Sequence, residues 1–231
     1  MRWRSDLAMM PDLVAALPPG TEVLDYSTPP PAAAASCAVV AVPARNEEAV
    51  VGRCLDALAD QGRPLEVALL LNNCEDGTAA AAMSAAASSG QSVSVLNVRL
   101  PAEAAHAGWA RRLAMDLAAG LLLERGKPDG VILTTDADCA PLPGWLDASL
   151  AGLEAGADIV AGAIEPVADE FPLLNEACRL RADLVRDYIY LLDRLATLID
   201  PEPHDPWPRH PFSCGASLAL RLGTYYYRVI S

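Results

Sequence analysis

The sequence has little positive charge, few aromatic residues and no long apolar run. Seventeen Lys and Arg face thirty Asp and Glu, which gives a net charge of −13 at pH 7. This balance disfavours nonspecific attraction to nucleic acid or to an anionic membrane surface. We therefore expect no nucleic-acid partner, and any polyanionic ligand must meet local positive charge or a metal ion.

Two further absences concern zinc and membranes. None of the six cysteines forms a CxxC pair or a Cys/His cluster with zinc-ligand spacing. No signal-peptide core follows Met1–Arg4, and the apolar stretch at 31–44 is too short and too rich in proline to cross a bilayer. These absences favour a cytoplasmic protein without a transmembrane segment.

Apolar runs alternate with helical stretches along most of the chain. Hydrophobic residues make up 52% of the sequence, and much of the excess is alanine, which favours helix. Strands are predicted at 38–42, 66–71, 93–98, 131–135, 158–164 and 217–220. Because single helices separate most of these strands, the sequence predicts an α/β fold with a Rossmann-like, mostly parallel sheet flanked by helices.

The domain boundaries follow from composition and helical spacing. Residues 1–36 indicate an N-terminal helix over 5–17 and a Pro/Ala-rich linker, and residues 37–231 indicate the α/β domain. The helical stretch from Leu173 to Ile199 repeats apolar residues at helical spacing. Core packing and a dimer face explain that repeat equally well, so a homodimer is possible.

Polar turns follow the first two strands of the predicted domain. Pro43 turns the chain out of the sheet, and Asn46 is predicted to cap a helix over 47–61. In the second turn, Asp76 is predicted to cap the next helix. Neither turn contains Gly-x-Gly-x-x-Gly or Gly-x-x-x-x-Gly-Lys, which argues against a dinucleotide-binding fold and a P-loop NTPase.

Arg111 lies early in the helix that follows the third strand of the domain. A cation at that position opposes the helix macrodipole. Contact with a phosphate or a nearby acid would offset this penalty, and a solvated surface arginine is the alternative.

Two carboxylates, Asp136 and Asp138, follow the apolar run Val131–Thr135. Ligands of parallel sheets collect beyond the carboxyl ends of the strands, and carboxylates placed there supply hard oxygen ligands for Mg²⁺ or Mn²⁺. A helix N-cap before Pro141 is the alternative interpretation of the same residues.

Five short segments occur in a recognisable order. Val-Pro-Ala-Arg-Asn-Glu-Glu begins at Val42, Asn-Asn-Cys-Glu-Asp-Gly-Thr at Asn72, Gly-Trp-Ala-Arg at Gly108, Asp-Ala-Asp at Asp136 and Cys-Gly-Ala-Ser at Cys214. Together they resemble the family-2 glycosyltransferases of GT-A fold. The resemblance implies transfer of a sugar, in a hexosyltransferase-like reaction, from a nucleotide-diphosphate donor with Mg²⁺ or Mn²⁺ as cofactor. The acceptor is left open as a saccharide, a lipid-linked molecule or a small molecule.

The resemblance also implies roles for single residues. The implied donor-binding residues are Pro43, Arg45, Glu47, Asn73, Asp76, Arg111 and Asp136. Asp138 resembles the direct metal ligand of the Asp-x-Asp pair, and Asp136 lies nearer the ribose or the metal shell. Both would support departure of the leaving group. Asn72 and Asn73 stand where the family often has paired aspartates, so no base preference is predicted.

One family motif is absent from the chain. Relatives usually continue past the Gly-Ala-Ser strand to a Glu-Asp pair whose aspartate acts as general base, and none follows Gly215 here. Glu165, the acids at 169–205, His204 and His210 are the candidate substitutes. Three hypotheses follow: an enzyme with another base or a retaining mechanism, a truncated inactive member that retains nucleotide binding, and an interaction or scaffold protein that uses the Leu173–Ile199 helix.

Overall fold

The computed structural model describes residues 10–29, 36–165, 171–203, 205, 207 and 215–228. The strands are β1 Glu22–Ser27, β2 Ala38–Ala44, β3 Glu66–Asn72, β4 Ser92–Arg99, β5 Val131–Thr134, β6 Ile159–Ala161 and β7 Leu218–Arg221. The helices are α1 Pro11–Ala16, α2 Val51–Ala59, α3 Thr78–Ser89, α4 Ala107–Glu124, α5 Trp145–Glu154, α6 Glu176–Ile199 and α7 Leu222–Arg228, with a short 3₁₀ turn at Phe171–Leu173. None of the helices within these ranges combines the length and hydrophobicity that crossing a bilayer requires.

The strands form one mixed sheet in the order β1-β4-β3-β2-β5-β7-β6. Strands β2, β3, β4 and β5 pair in parallel, whereas β1 pairs antiparallel with β4 and β7 pairs antiparallel with β5. The mostly parallel α/β sheet predicted from the sequence is confirmed. Strand order reverses between β2 and β5, because β3 and β4 are added on one side of β2 and β5 on the other. Open α/β sheets bind ligands in the crevice beyond such a reversal.

Helices cover both faces of this sheet. In one core cluster, helix α4 packs between the sheet and α1, and its Leu113, Leu117 and Leu121 are fully buried. The other cluster packs α2, α3 and α5 against the opposite face, with Leu55 and Leu58 fully buried. Strands β2, β3 and β5 are covered on both faces, which is why their sequences are nearly continuous apolar runs.

Strand β1 is a feature that the sequence does not predict. It lies in the segment interpreted as helix and linker, yet Tyr26 pairs with Leu96 of β4 and its side chain is buried. Met10 and Leu13 join the core cluster that contains α4. An edge strand needs only one partner and this one is mostly exposed, so its sequence carries a weak signal. The domain division at residue 36 stays a prediction.

Two predicted boundaries are wrong. Helix α2 begins at Val51, and Asn46 does not cap it: its Oδ1 accepts from the Glu75 amide at 2.8 Å. Asn46 lies in the left-handed region at φ 57°, which directs it away from the helix and toward the second turn. The strand predicted at 158–164 is limited to Ile159–Ala161.

The chain packs as two units. The first contains the described residues up to Val160 together with those from Gly215 onward, and the second contains the described residues between Ala161 and Cys214. The second unit is built on α6, whose first turn is capped by Asn175 Oδ1 accepting from the Cys178 amide at 2.9 Å. Within it, the rings of Tyr190 and Trp207 meet edge-on with centroids 5.3 Å apart.

A buried ion pair joins β3 to the end of α4. Arg125 Nε donates to Glu66 Oε1 at 2.7 Å, Arg125 Nη2 lies 2.5 Å from Glu66 Oε2, and both side chains are almost completely buried. Burial raises the pKa of Glu66, and the adjacent guanidinium opposes that rise. Because both groups are shielded from water, each charge is stabilised mainly by the other. Loss of one partner therefore leaves an uncompensated buried charge.

We expect Arg125→Met to lower the free energy of unfolding by about 3–5 kcal/mol, because Glu66 then carries a buried charge without a partner. The double variant Glu66→Met/Arg125→Met should recover most of that loss, since it removes both charges. Urea denaturation measures both effects.

The exposed pair between Arg99 and Glu22, 2.7 Å apart, provides a matched control. Arg99→Met should cost no more than about 1 kcal/mol, because solvent already screens that pair. Equal losses for Arg99→Met and Arg125→Met would contradict the account of the buried pair.

Candidate functional site

A cavity of about 220 Å³ opens at the carboxyl ends of β2 and β5. It therefore lies at the reversal of strand order. Its walls come from the turns that follow these strands, the end of β3 and the beginning of α4. The lining residues are Pro43, Ala44, Arg45, Glu47, Asn72, Ala105, His106, Ala107, Ala110, Arg111, Asp136, Ala137 and Asp138.

The chain after β5 presents two carboxylates to this cavity. Ala137 is buried in the core, whereas Asp136 is half-buried and Asp138 is exposed. The buried alanine between them anchors the turn, and the Cys139 amide donates to the Asp136 carbonyl at 3.0 Å. The alternative interpretation as a helix cap is wrong, because α5 begins only at Trp145 and its N-cap is Gly144.

Arg111 forms an ion pair with Asp136 through Nη2 and Oδ1. Of the alternatives open from the sequence, contact with a nearby acid is the one that the structure contains. The guanidinium also lies against Gly215, where a Cβ atom would be 2.5 Å from the Arg111 Cζ atom. Gly215 is itself held by β5, because the Thr134 hydroxyl donates to its carbonyl at 2.5 Å. A side chain at position 215 would therefore displace Arg111 from Asp136.

Negative charge accumulates around the cavity. The pKa of Glu47 is raised, first by burial and then by the nearby charges of Asp138, Asp76 and Asp136. Two arginines contact main-chain carbonyls at the rim: Arg45 Nη1 donates to Ala105 at 3.1 Å, and Arg53 Nη2 donates to Asp138 at 3.2 Å. A cation placed among these carboxylates would lower their mutual repulsion.

The chemistry of these groups fits a divalent cation. Among the residues that the structure describes, no group of three or more His, Cys, Asp and Glu side chains forms a metal site. The cavity offers Asp138 and the second oxygen of Asp136, since Oδ1 of Asp136 is engaged by Arg111. Protein sites for Mg²⁺ often use one or two carboxylates and complete the shell with substrate phosphates and water. Asp136 and Asp138 match that arrangement.

Asn73 and Asp76, which the resemblance places at the donor, are not among the cavity-lining residues. The Asn73 side chain clamps β4: its Nδ2 donates to the Leu100 carbonyl at 3.0 Å, and its Oδ1 accepts from the Leu100 amide at 2.9 Å. Asp76 accepts from the Glu48 amide at 3.2 Å and from the Thr78 amide at 3.0 Å. The Thr78 hydroxyl is the main cause of the lowered pKa of Asp76. Both side chains join turns, and their implied role in donor binding stays a prediction.

Asn72 is a lining residue that the site prediction omitted, as it omitted His106 and five alanines. Its side chain is 2% exposed, and its Oδ1 atom has no hydrogen-bond partner within the described part of the chain. Buried polar atoms are nearly always paired, so a residue of the cavity wall that contains an unpaired oxygen is a candidate for contact with a ligand. Strand alternation provides the missed signal, because successive residues at the end of β3 point to opposite faces.

The candidate general bases divide into residues of the second unit and residues that the structure does not describe. Glu165, the described acids between 171 and 203, and Asp205 belong to the second unit, whereas Asp169 and Glu170 are not described. His204 and His210 lie outside the described residues.

Solved structures of several proteins are similar to this chain. A mannosyltransferase, PcManGT, from Pyrobaculum calidifontis, in complex with GDP-Man and Mn²⁺, is 22% identical with a TM-score of 0.44, and the match covers 62% of this chain and 39% of that one. The glucosyl-3-phosphoglycerate synthase of M. tuberculosis is 16% identical with a TM-score of 0.42, and the match covers 80% of this chain and 57% of that one. Residues 1–349 of S. aureus TarS in complex with UDP are 20% identical with a TM-score of 0.42, and the match covers 57% of this chain and 38% of that one.

The chain therefore spans between 38% and 57% of the length of these structures. No curated protein matches it. The family profile described as "Glycosyl transferase family 2" matches residues 39–196, a range that includes the cavity turns and the Asp136–Asp138 pair. The chain belongs to glycosyltransferase family 2.

Proposed function

We propose that the cavity binds a nucleotide-sugar donor and that the protein transfers the sugar with the help of a divalent cation. One observation carries the proposal: Asp138, Asp136 and Arg111 meet with the beginning of α4 in a single cavity at the strand reversal. The diphosphate of such a donor requires positive charge, and a protein of net charge −13 must supply it locally.

Two features of the protein suit the diphosphate. Arg111 offers a guanidinium at the cavity wall, where its planar donors can share Asp136 and a phosphate oxygen. The first turn of α4, from Ala107, places backbone N–H groups and the positive end of an eighteen-residue helix at the same wall.

Asp138 and Asp136 would hold the cation, Mg²⁺ or Mn²⁺. When bound, such an ion acts as a Lewis acid that stabilises the charge accumulating on the leaving diphosphate. Asp138 carries most of this task, because Arg111 already engages one oxygen of Asp136. We further propose that Pro43, Arg45 and Glu47 border the nucleoside at the turn after β2.

Asn72 is proposed to contact the base of the donor. An amide side chain has both a donor and an acceptor, and no residue in the described part of the chain donates a hydrogen bond to Asn72 Oδ1. Uracil and guanine both present a ring N–H beside a carbonyl oxygen, which matches an amide at two points. A neutral amide in place of an acid also adds no further negative charge to a cavity that already contains Glu47, Asp136 and Asp138.

A second candidate is a family member that binds nucleotide without transferring sugar. It rests on the same cavity, because groups that suit a diphosphate and a cation can bind a nucleotide whether or not a general base then activates an acceptor. If the protein transfers sugar, as in the first proposal, but without such a base, the mechanism is a retaining one. The acceptor class stays open among saccharides, lipid-linked molecules and small molecules, and the cytoplasmic location rests on the sequence features given above.

Calorimetric binding of UDP and GDP with and without Mn²⁺, followed by nucleotide release from a panel of sugar donors, tests the two candidates. Metal-dependent binding with turnover supports the transferase, and binding without turnover supports the second candidate. The absence of binding would overturn both.

We expect Asp138→Ala to remove the Mn²⁺-dependent part of nucleotide affinity, at least about a hundredfold, because the site loses its most available carboxylate. The free energy of unfolding should change by no more than about 0.5 kcal/mol, since Asp138 is exposed and packs against no core. Asp129→Ala, an exposed aspartate just before β5 and outside the cavity lining, is the matched control. Unchanged Mn²⁺-dependent affinity in Asp138→Ala would sink the proposed metal site.

The adjacent asparagines should behave in opposite ways. Asn72→Ala should weaken nucleotide binding about tenfold with little loss of stability, because its buried oxygen makes no internal hydrogen bond. Asn73→Gly keeps the backbone at φ 53° accessible but removes the clamp on Leu100. It should lower the free energy of unfolding by about 1–3 kcal/mol and leave the nucleotide affinity of the folded protein unchanged. Titration calorimetry and urea denaturation of both variants provide the comparison, and the reverse pattern would exclude Asn72 as the ligand-contacting residue.

A further inference from the structure

Helix α6 carries a long apolar surface. None of its twenty-four residues is buried, and Leu184 and Leu191 are 61% and 60% exposed. Contiguous apolar surfaces of this kind usually mark interaction sites on proteins. Tyr190 contacts Trp207, but this ring contact lies outside the apolar stripe described next.

The apolar residues of α6 follow a heptad pattern. Leu184, Tyr188, Leu191, Leu195 and Leu198 alternate in steps of four and three residues. That spacing keeps one seam facing a partner helix. A second apolar line, Val185, Leu192 and Ile199, runs beside the seam on one flank, and the other flank carries Asp187 and Arg194.

We propose that α6 pairs with α6 of a second copy of this chain in an antiparallel coiled coil. In the register that stacks Tyr188 on the partner's Leu191, Leu184 stacks on the partner's Leu195. A two-fold axis then relates the helices, so each contact occurs twice. The seam is filled by large apolar side chains from both copies over its central layers.

Charge complementarity selects this partner and this direction. In the antiparallel register, Asp187 faces the partner's Arg194, and symmetry repeats the pair. On the opposite flank Val185 meets the partner's Leu192, which extends the apolar contact. A parallel pair would instead place Asp187 against the partner's Leu192, so Asp187 would meet no opposite charge on the partner and would keep the pair with Arg186 of its own chain, 3.4 Å away.

The charge of α6 favours a protein partner over a lipid surface. The helix contains four arginines and four acids, so its formal charge is 4 − 4 = 0. Helices that lie on anionic membranes carry an excess of Lys and Arg on the polar face. The mixed charges of α6 are instead typical of the flanks of a coiled coil.

The first test is the oligomeric state of the full chain by sedimentation equilibrium and light scattering. We expect a mass of twice 24.3 kDa at high protein concentration. Leu191→Glu should weaken dimerisation at least about a hundredfold, because symmetry buries two carboxylates in the apolar seam.

Charge reversal provides the sharper test. Asp187→Arg and Arg194→Asp should each weaken the dimer about tenfold, because each creates two like-charge contacts, and the double variant should restore it. Residues seven apart in one helix are separated by about 10.5 Å along the axis, so they cannot pair within one chain. Restoration by the double reversal therefore reports a contact between two copies.

Asp193→Arg, the same charge change on the side of α6 away from the seam, serves as the control and should leave the dimer unchanged. A monomer at every concentration, or reversals that fail to restore each other, would overturn the proposal. The protein could instead sediment with anionic phosphatidylserine vesicles, and Leu191→Glu could abolish this co-sedimentation. That result would overturn the proposal in favour of a membrane-binding helix. These measurements use no nucleotide, so their outcome is independent of the proposed transfer reaction.

Discussion

The ion pair between Arg111 and Asp136 holds the candidate site together. It joins three segments that are far apart in the sequence: the beginning of α4, the turn after β5 and the chain at Gly215. In a protein of net charge −13, carboxylates that converge at one sheet edge repel each other unless a cation lies among them. Arg111 supplies that charge from the protein itself. Asp138 is thereby left as the more available carboxylate, and the guanidinium remains at the cavity wall.

The turns around the cavity divide structural and ligand-facing tasks between neighbouring residues. Both ends of the Asn73 amide bind the main chain of Leu100, whereas Asn72 lines the cavity and its Oδ1 has no partner among the described residues. The Asp76 carboxylate likewise accepts hydrogen bonds from the Glu48 and Thr78 amides, and the bond to Glu48 connects the turn after β3 to the turn after β2. Several side chains of the polar turns therefore hold the turns in place through hydrogen bonds to the main chain. The neighbouring residues of the same turns are left to contact a ligand.

The sequence predicts best those parts of the molecule that depend on local pattern. Strands β2, β3 and β5 are buried on both faces, so they appear as continuous apolar runs and were located to within a few residues. Asp136, Asp138 and Arg111 line one cavity because the carboxyl edge of a parallel sheet is a predictable location, and their roles toward a donor and a metal stay predictions. Strand β1, the true partner of Asn46 and the division between Asn72 and Asn73 depend on contacts between distant segments. Such contacts leave no periodic signal in one sequence.

Strand β7 occupies a place in the sheet that its position in the chain does not suggest. It inserts between β5 and β6, although the ribosome synthesises both of those strands first. Until β7 emerges, the outer edge of β5 has unpaired backbone groups, and the Thr134 hydroxyl lacks the Gly215 carbonyl. Open strand edges on incomplete chains are templates for wrong pairing. Chaperone capture during translation should therefore concentrate on the interval between the appearance of β5 and the arrival of its last neighbour.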